Sequence, residues 1–303
     1  MEEKWERIIP YINLSTYESE IILKKLFSDI IIEKKELINI GCRNSNYKVT
    51  TNRGKFLVRI SSKNEAGCIN EIASANLYIP NVNKPRLLYC HEFNKALCMV
   101  YKYIENKPLK EDMVNDDVMC QLAKQAAYIH KIQKDQLTKF KLLDFPELKD
   151  MFKLFLDNKN TKKRLGSYRL NNINKMLDKY EKSLELIEEK KGFIHSDFKI
   201  SNMILSNENK VYITDWEYCT FGHIYADIGQ LFRYIDINKS NLIDTFEEVY
   251  NYNSEYKLEK NWVQLSFLRD LVNPLQLLSS NQDMPNKCQD LLKIVDKVLL
   301  ILE

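Results

Sequence analysis

Two stretches decide how this chain is read: His195-Ser196-Asp197-Phe198-Lys199-Ile200-Ser201-Asn202 and, shortly after, Ile213-Thr214-Asp215-Trp216-Glu217. Together they set a candidate base, two candidate metal ligands and a cation within a short span. Moving a phosphoryl group off a nucleotide needs little covalent help. It needs Mg²⁺ to neutralise charge, a carboxylate to orient the attacking hydroxyl, and rigid placement. Asp197 is the candidate for that carboxylate, Asn202 and Asp215 for the metal, and Lys199 for charge developing on phosphate. The flanks agree. Gly192-Phe193-Ile194 reads as a short strand entering a loop, and Met203-Ile204-Leu205 with Val211-Tyr212-Ile213 reads as a hairpin around Ser206-Asn207-Glu208-Asn209.

Bulk properties narrow the class. A chain of 303 residues is too long for one small core and fits two lobes or two modest domains. With 45% hydrophobic and 29% charged residues it has a soluble globular balance, which argues against long disorder. No stretch approaches a membrane span, and the start Met1-Glu2-Glu3-Lys4-Trp5 is acidic where a secretory signal is basic and then apolar. The expected location is therefore the cytoplasm, and the expected partners include neither membrane nor nucleic acid. The 7 cysteines are an odd number and widely spread, as free thiols in a reducing compartment would be.

Net charge is only +3, but it is unevenly placed. Residues 217–303 carry 13 acidic against 8 basic side chains, and the remainder carries 37 basic against 29 acidic. A basic N-terminal part suits a polyphosphate, and an acidic C-terminal part suits a cationic acceptor. Ordinary solvated faces would give the same balance.

Along the chain there is no internal repeat and no low-complexity segment. Residues 15–29 read as a helix capped by Ser15 or Thr16. Strands are expected at 37–40, 47–51 and 55–60, then a helix over 63–78, then strands at 86–89 and 96–101. A mainly helical remainder follows from about Ile104-Glu105-Asn106-Lys107-Pro108, with helices expected near 118–133, 147–164 and 169–190 and from Asp227 to the end.

These residues resemble the aminoglycoside phosphotransferase and choline kinase family, small-molecule kinases built like protein kinases. The family's His-x-Asp-x-x-x-x-Asn loop and the following strand ending in Asp-x-Glu are both present in order, and the likeness runs from about Leu37 to Tyr234. It implies an α+β, protein-kinase-like, two-lobed fold. Residues 1–104 would form a small antiparallel β-sheet lobe with one helix, and residues 105–303 a larger, mainly helical lobe. It also implies Mg²⁺ and ATP or GTP, with the chain a monomer or weak homodimer.

The resemblance assigns further residues. Gly41, Asn44 and Ser45 lie in a shortened Gly-x-x-Asn-x-x-Tyr loop that would cover the phosphates. Arg59 stands where protein kinases place the lysine that grips the α- and β-phosphates, with Glu71 its expected partner and Glu65 the alternative. The C=O of Lys102 and the N–H of Ile104 would bond the adenine. His195 and Asp227 would support the loop, and Glu217 could ligate metal or sit behind a ligand. Acceptor walls are expected among Tyr218, Phe221, Tyr225, Trp262, Asp270 and Asn273. Asp-Trp-Glu-Tyr leans towards choline or ethanolamine kinases, whereas Phe-Gly-x-x-x-x-Asp-Ile-Gly-Gln leans, by a small margin, towards the aminoglycoside branch. A regulatory pseudokinase is the alternative of another class, but Asp197, Asn202 and Asp215 are all retained.

Overall fold

The computed structural model describes residues 5–7, 9–39, 43–61, 65–93, 96–238 and 240–303. Its first half is built on five antiparallel strands: β1 (Ile32–Ile38), β2 (Ser45–Thr51), β3 (Gly54–Ser61), β4 (Leu87–Phe93) and β5 (Ala96–Lys102), in the order β1-β2-β3-β5-β4. Gly54, at φ 105°, makes the tight turn between β2 and β3 possible. Val49, Phe56, Val58 and Val100 face one side of this sheet and meet Ile22 and Leu23 of helix α1 (Thr16–Lys24) in a small core. Ser15 and Glu18 start α1 with a reciprocal capping box, each side chain answering the other's backbone N–H. Helix α2 (Glu65–Asn76) packs against the turn at residues 216–218 of the second half. The half-buried Lys84 bonds the carbonyls of Ser74 and Leu77 at the end of α2 through its ammonium, which fixes that helix; desolvation lowers the lysine's pKa to about 8.

The second half has three short strands, β6 (Asn106–Pro108), β8 (Met203–Ser206) and β9 (Val211–Ile213), and a pair formed by β7 (Lys191–Ile194) and β10 (Thr220–His223). The rest is helical: α3 (Asp116–His130), α4 (Leu148–Asp157), α5 (Lys159–Lys179), α6 (Glu181–Glu189), α7 (Tyr225–Phe232), α8 (Ser240–Asn253), α9 (Trp262–Asp270), α10 (Val272–Leu278) and α11 (Pro285–Leu302). A single large core runs through these helices. The expected α+β architecture, a sheet part with one helix and a larger helical part, is present. No helix among the described residues is long and apolar enough to cross a membrane.

Two expectations for the helices need correction. The helix expected over 147–164 breaks at Asn158, whose extended backbone and side-chain bonds to the N–H groups of Asn160 and Thr161 start a new helix. That helix is itself kinked at Gly166 (φ 72°), and the one expected over 169–190 is interrupted at Tyr180. Strands β6 and β10 were not expected at all.

Candidate active site

The loop 195–202 leaves β7 at Ile194 and is held from below by helix α7. The carboxylate of Asp227, fully buried in the first turn of α7, accepts the N–H groups of His195 (2.7 Å) and Ser196 (2.8 Å). One turn later Gln230 accepts the N–H of Phe198 (2.7 Å) and donates to the carbonyl of Ser196 (2.9 Å). Ser196 is thereby kept at φ 68°, a conformation that non-glycine residues seldom adopt. Every one of these backbone groups is answered by a buried side chain, which makes the loop rigid before any ligand arrives. Gln230 stands in the quoted Asp-Ile-Gly-Gln run without an assigned role; its signal was its position three residues after Asp227 on the same helical face.

His195 has both ring nitrogens committed. Nδ1 accepts from the N–H of Asp197 (3.3 Å), and Nε2 lies 3.0 Å from the carbonyl of Thr214, so the bonding assigns the proton to Nε2. The ring is buried edge-on against Trp216, which leaves it no lone pair for proton transfer.

At the loop's surface, Asn202 donates from Nδ2 to the Asp197 carboxylate (2.6 Å) and to its main-chain oxygen (2.9 Å). The Lys199 ammonium lies 3.2 Å from the other carboxylate oxygen of Asp197. The carbonyl of Asn202 accepts both the N–H (2.9 Å) and the hydroxyl (2.8 Å) of Thr214, which ties the loop to the residue before Asp215. Asp215 itself sits in the left-handed region at φ 67°.

Across from it, Arg59 on β3 is a hub for three acids. Its guanidinium lies 2.6 Å from Asp215, 3.2 Å from Glu71 and 3.9 Å from Glu217. Glu71 also accepts the hydroxyl of Tyr101 (2.8 Å). The three carboxylates can bring ligand atoms within 4.8 Å of one another. Burial pushes every acid here upward. Asp215 is nevertheless held below its ordinary value by Arg59, while Glu71 stays above its own because burial outweighs the same arginine. Glu217 is raised to about 7, by burial first and by the neighbouring Asp215 charge second.

Three acids crowd one guanidinium, and Oε2 of Glu71 has no hydrogen-bond partner. That donor set suits a hard divalent cation with oxygen ligands. Asn202 fits as well, because its Nδ2 is spent on Asp197 and its side-chain Oδ1 is the atom left to ligate.

The chain matches the phosphotransferase enzyme family over residues 36–260. It belongs to that family. Among curated proteins, the LicA homolog of Metamycoplasma hominis is 28% identical over 152 residues, 49% of this chain and 53% of that protein. The chain spans about half the length of the curated relatives it matches. Among solved structures, a spectinomycin phosphotransferase in complex with ADP and spectinomycin superposes with a TM-score of 0.67 at 15% identity, over 96% of this chain and 99% of that one. The choline kinase LicA from Streptococcus pneumoniae gives 0.63 at 19% identity, over 93% and 98%. These likenesses show a kinase-like fold.

Within this family member the other expected residues fall into three groups. Lys102 ends β5 opposite Phe56, and among the described residues nothing accepts from the N–H of Ile104, which leaves that donor available beside the strand end. Asn44 and Ser45 lie at the start of β2, but the Ser45 hydroxyl is taken by the N–H of Ile12 (2.9 Å). Gly41 lies outside the described residues.

The acceptor walls need correction. Trp262 is 2% exposed, packs on Phe232 and Phe246, and donates to Glu247 (2.9 Å). Asp270 is 1% exposed and forms a two-bond pair with Arg233 (2.9 and 2.6 Å). Both are core residues, because an aromatic and acidic stripe at helical spacing turned inwards where a guanidinium was waiting. Tyr225 is also buried, whereas Tyr218 stays at the cleft and accepts a 2.6 Å bond from Arg43.

Proposed function

We propose that this protein transfers the terminal phosphoryl group of ATP or GTP to the hydroxyl of a small cationic alcohol of the choline or ethanolamine type. The observation that carries the reading is the placement of Asp197 between Lys199 and Asn202, on a loop bonded to the strand end that bears Asp215, opposite the Arg59–Glu71 pair.

Asp197 orients the acceptor hydroxyl and takes its proton as the new O–P bond forms and the β–γ bridging O–P bond breaks. Lys199 stands beside the charge that spreads over the transferring group. Arg59 grips the phosphates of the nucleotide, and Glu71 with Tyr101 keeps it extended towards them. Asn202 and Asp215 would hold Mg²⁺, with Glu217 the neighbouring acid; when bound, the metal neutralises phosphate charge. Asn44 and the backbone around Ser45 would cover the phosphates, and the Lys102 carbonyl and Ile104 N–H would bond the base. His195 and Asp227 carry no chemistry and hold the loop.

The choline-type acceptor is favoured over a polyamine sugar for two reasons. The curated relatives are LicA homologs, and a LicA of this fold is a choline kinase. Moreover, four acids of the C-terminal part are spent in pairs: Asp270 on Arg233, Asp296 on Arg169, Glu259 on Lys190 and Asp290 on Lys293. A broad acidic surface for several amines is therefore not available from them. The test is a panel of choline, ethanolamine, aminoglycosides and neutral alcohols with ATP or GTP and Mg²⁺, scored by nucleoside diphosphate release. Turnover with choline or ethanolamine supports the reading. Turnover with aminoglycosides alone would replace the acceptor, and nucleotide binding without turnover on any alcohol would favour a regulatory role.

A further inference from the structure

Residues 5–7 form a strap that bonds to both halves of the molecule. Arg7 donates to the carbonyls of Arg43 and Asn44 (3.0 Å each), next to the start of β2. Glu6 accepts the N–H groups of Asn286 (2.8 Å) and Lys287 (3.2 Å) in the first turn of α11, where backbone donors otherwise lack helical partners. Trp5, half-buried on the large core, donates from Nε1 to the carboxylate of Asp290 (3.1 Å), whose other oxygen takes the ammonium of Lys293 (3.1 Å). The indole is therefore anchored at its edge. Its π system is left to two ammonium groups, Lys287 at 4.7 Å and Lys199 at 5.7 Å from the ring centre.

Lys199 links the strap to the chemistry. Its backbone is fixed, because its N–H bonds the carbonyl of Asp197 (2.9 Å) and its own carbonyl accepts the N–H of Asn202 (2.9 Å). That does not decide where the ammonium stands, at the end of a flexible four-carbon stem. The Asp197 carboxylate, at 3.2 Å, and the Trp5 ring both attract it. A lysine drawn by the carboxylate alone would close on it as an ordinary ion pair. Its charge would then be spent, and it would crowd the oxygen that an acceptor hydroxyl must approach. An aromatic face attracts a cation without taking a proton from it, and does so more strongly where water is scarce. The Lys199 side chain is only 13% exposed.

We infer that Trp5 is a positioning residue for Lys199: it holds the ammonium beside the Asp197 carboxylate rather than on it, ready for the charge of the transferring phosphoryl group. This rests on the phosphotransfer reading above and deepens it. Trp5 acts through Lys199 and itself touches neither substrate. Its own foundation is Asp290, so the last helix of the chain is tied to the loop 195–202 through a residue near the chain's start.

The experiment is a double-mutant cycle with ATP, Mg²⁺ and whichever of choline and ethanolamine turns over faster. The parent, Trp5→Leu, Lys199→Gln and the double variant are compared, with Trp5→Phe as the replacement that keeps a π face. If Trp5→Leu does not fold, Trp5→Met takes its place. The thermal midpoint is followed in each. Lys199→Gln should lower kcat about a hundredfold. Trp5→Leu should lower kcat about fivefold while both KM values change by less than about twofold, and Trp5→Phe should keep at least about half of the parent's kcat. In the Lys199→Gln background, Trp5→Leu should change kcat by less than about twofold, because the group it acts through is gone. An equal loss in both backgrounds, or no loss in the parent background, would overturn the positioning role while leaving Lys199 in place. A parental kcat in Lys199→Gln, or no turnover of either alcohol by the parent, would remove the reading beneath the inference and the inference with it.

Discussion

The loop 195–202 and the N-terminal segment meet at Lys199 and Trp5 but are held in opposite ways. In the loop, the N–H groups of His195, Ser196 and Phe198 end on the side chains of Asp227 and Gln230, both almost wholly buried. In the strap, Glu6 and Arg7 make bonds that are exposed or half-buried. Breaking one member of a buried, charge-assisted network leaves unpaired groups away from water and is expensive, whereas exposed pairs contribute little. The loop is thus overdetermined, and the N-terminal segment can be adjusted cheaply.

The largest effect that can sharpen this contrast is expected at Asp215. Asp215→Asn removes one charge from the cluster around Arg59 and should lower kcat/KM for the nucleotide at least about a hundredfold, with a raised Mg²⁺ requirement. A Mg²⁺ titration identical to the parent's would remove Asp215 from the metal site. Next comes the loop's foundation. Asp227→Asn should cost about 3 kcal/mol in denaturant unfolding, because an amide cannot replace a carboxylate that accepts two buried N–H groups. A loss below about 1 kcal/mol would break the contrast with the strap.

The smallest effect is a pH dependence at Glu217. Its folded pKa, about 7, lies above the ordinary 4.5, so the folded chain binds more protons than the unfolded chain between those values. This group's contribution to stability therefore falls as pH rises through 4.5 to 7 and is flat above. Without divalent cations, Glu217→Gln should gain thermal stability on the parent across that window. A difference between the two that is independent of pH would contradict the buried, repelled state of Glu217.

Much of the machinery was legible in the sequence because its pieces recur at fixed spacing on a short segment. Asp197 and Asn202 share one loop, and the strand alternation around Val49 and Val58 marks the sheet that places Arg59 across from Asp215. Asp227 was legible as an acid on the helix after the strand, but Gln230 was not, since glutamine on a helix face has no chemistry of its own until it meets a loop backbone. Trp262 and Asp270 were misread because periodicity says which residues share a helical face and not which way that face turns. Arg233, one turn beyond Gly229 on α7, decided that for Asp270. Helix breaks at Asn158 and Tyr180 have no proline to announce them. The contacts of Trp5 were invisible for a different reason: its partners Lys287 and Asp290 are almost a whole chain away.

In the proposed reaction Asp197 orients and deprotonates the acceptor hydroxyl for attack on the terminal phosphoryl group. The most direct test follows transfer of labelled γ-phosphate from nucleotide to acceptor by the parent and by Asp197→Asn. The parent should make one labelled phosphoester for each nucleotide consumed. The variant should bind nucleotide with nearly unchanged affinity and lose at least about a hundredfold in turnover, as expected of a positioned base. Near-normal labelled product from Asp197→Asn, or nucleotide consumed by the parent without any labelled phosphoester, would contradict it.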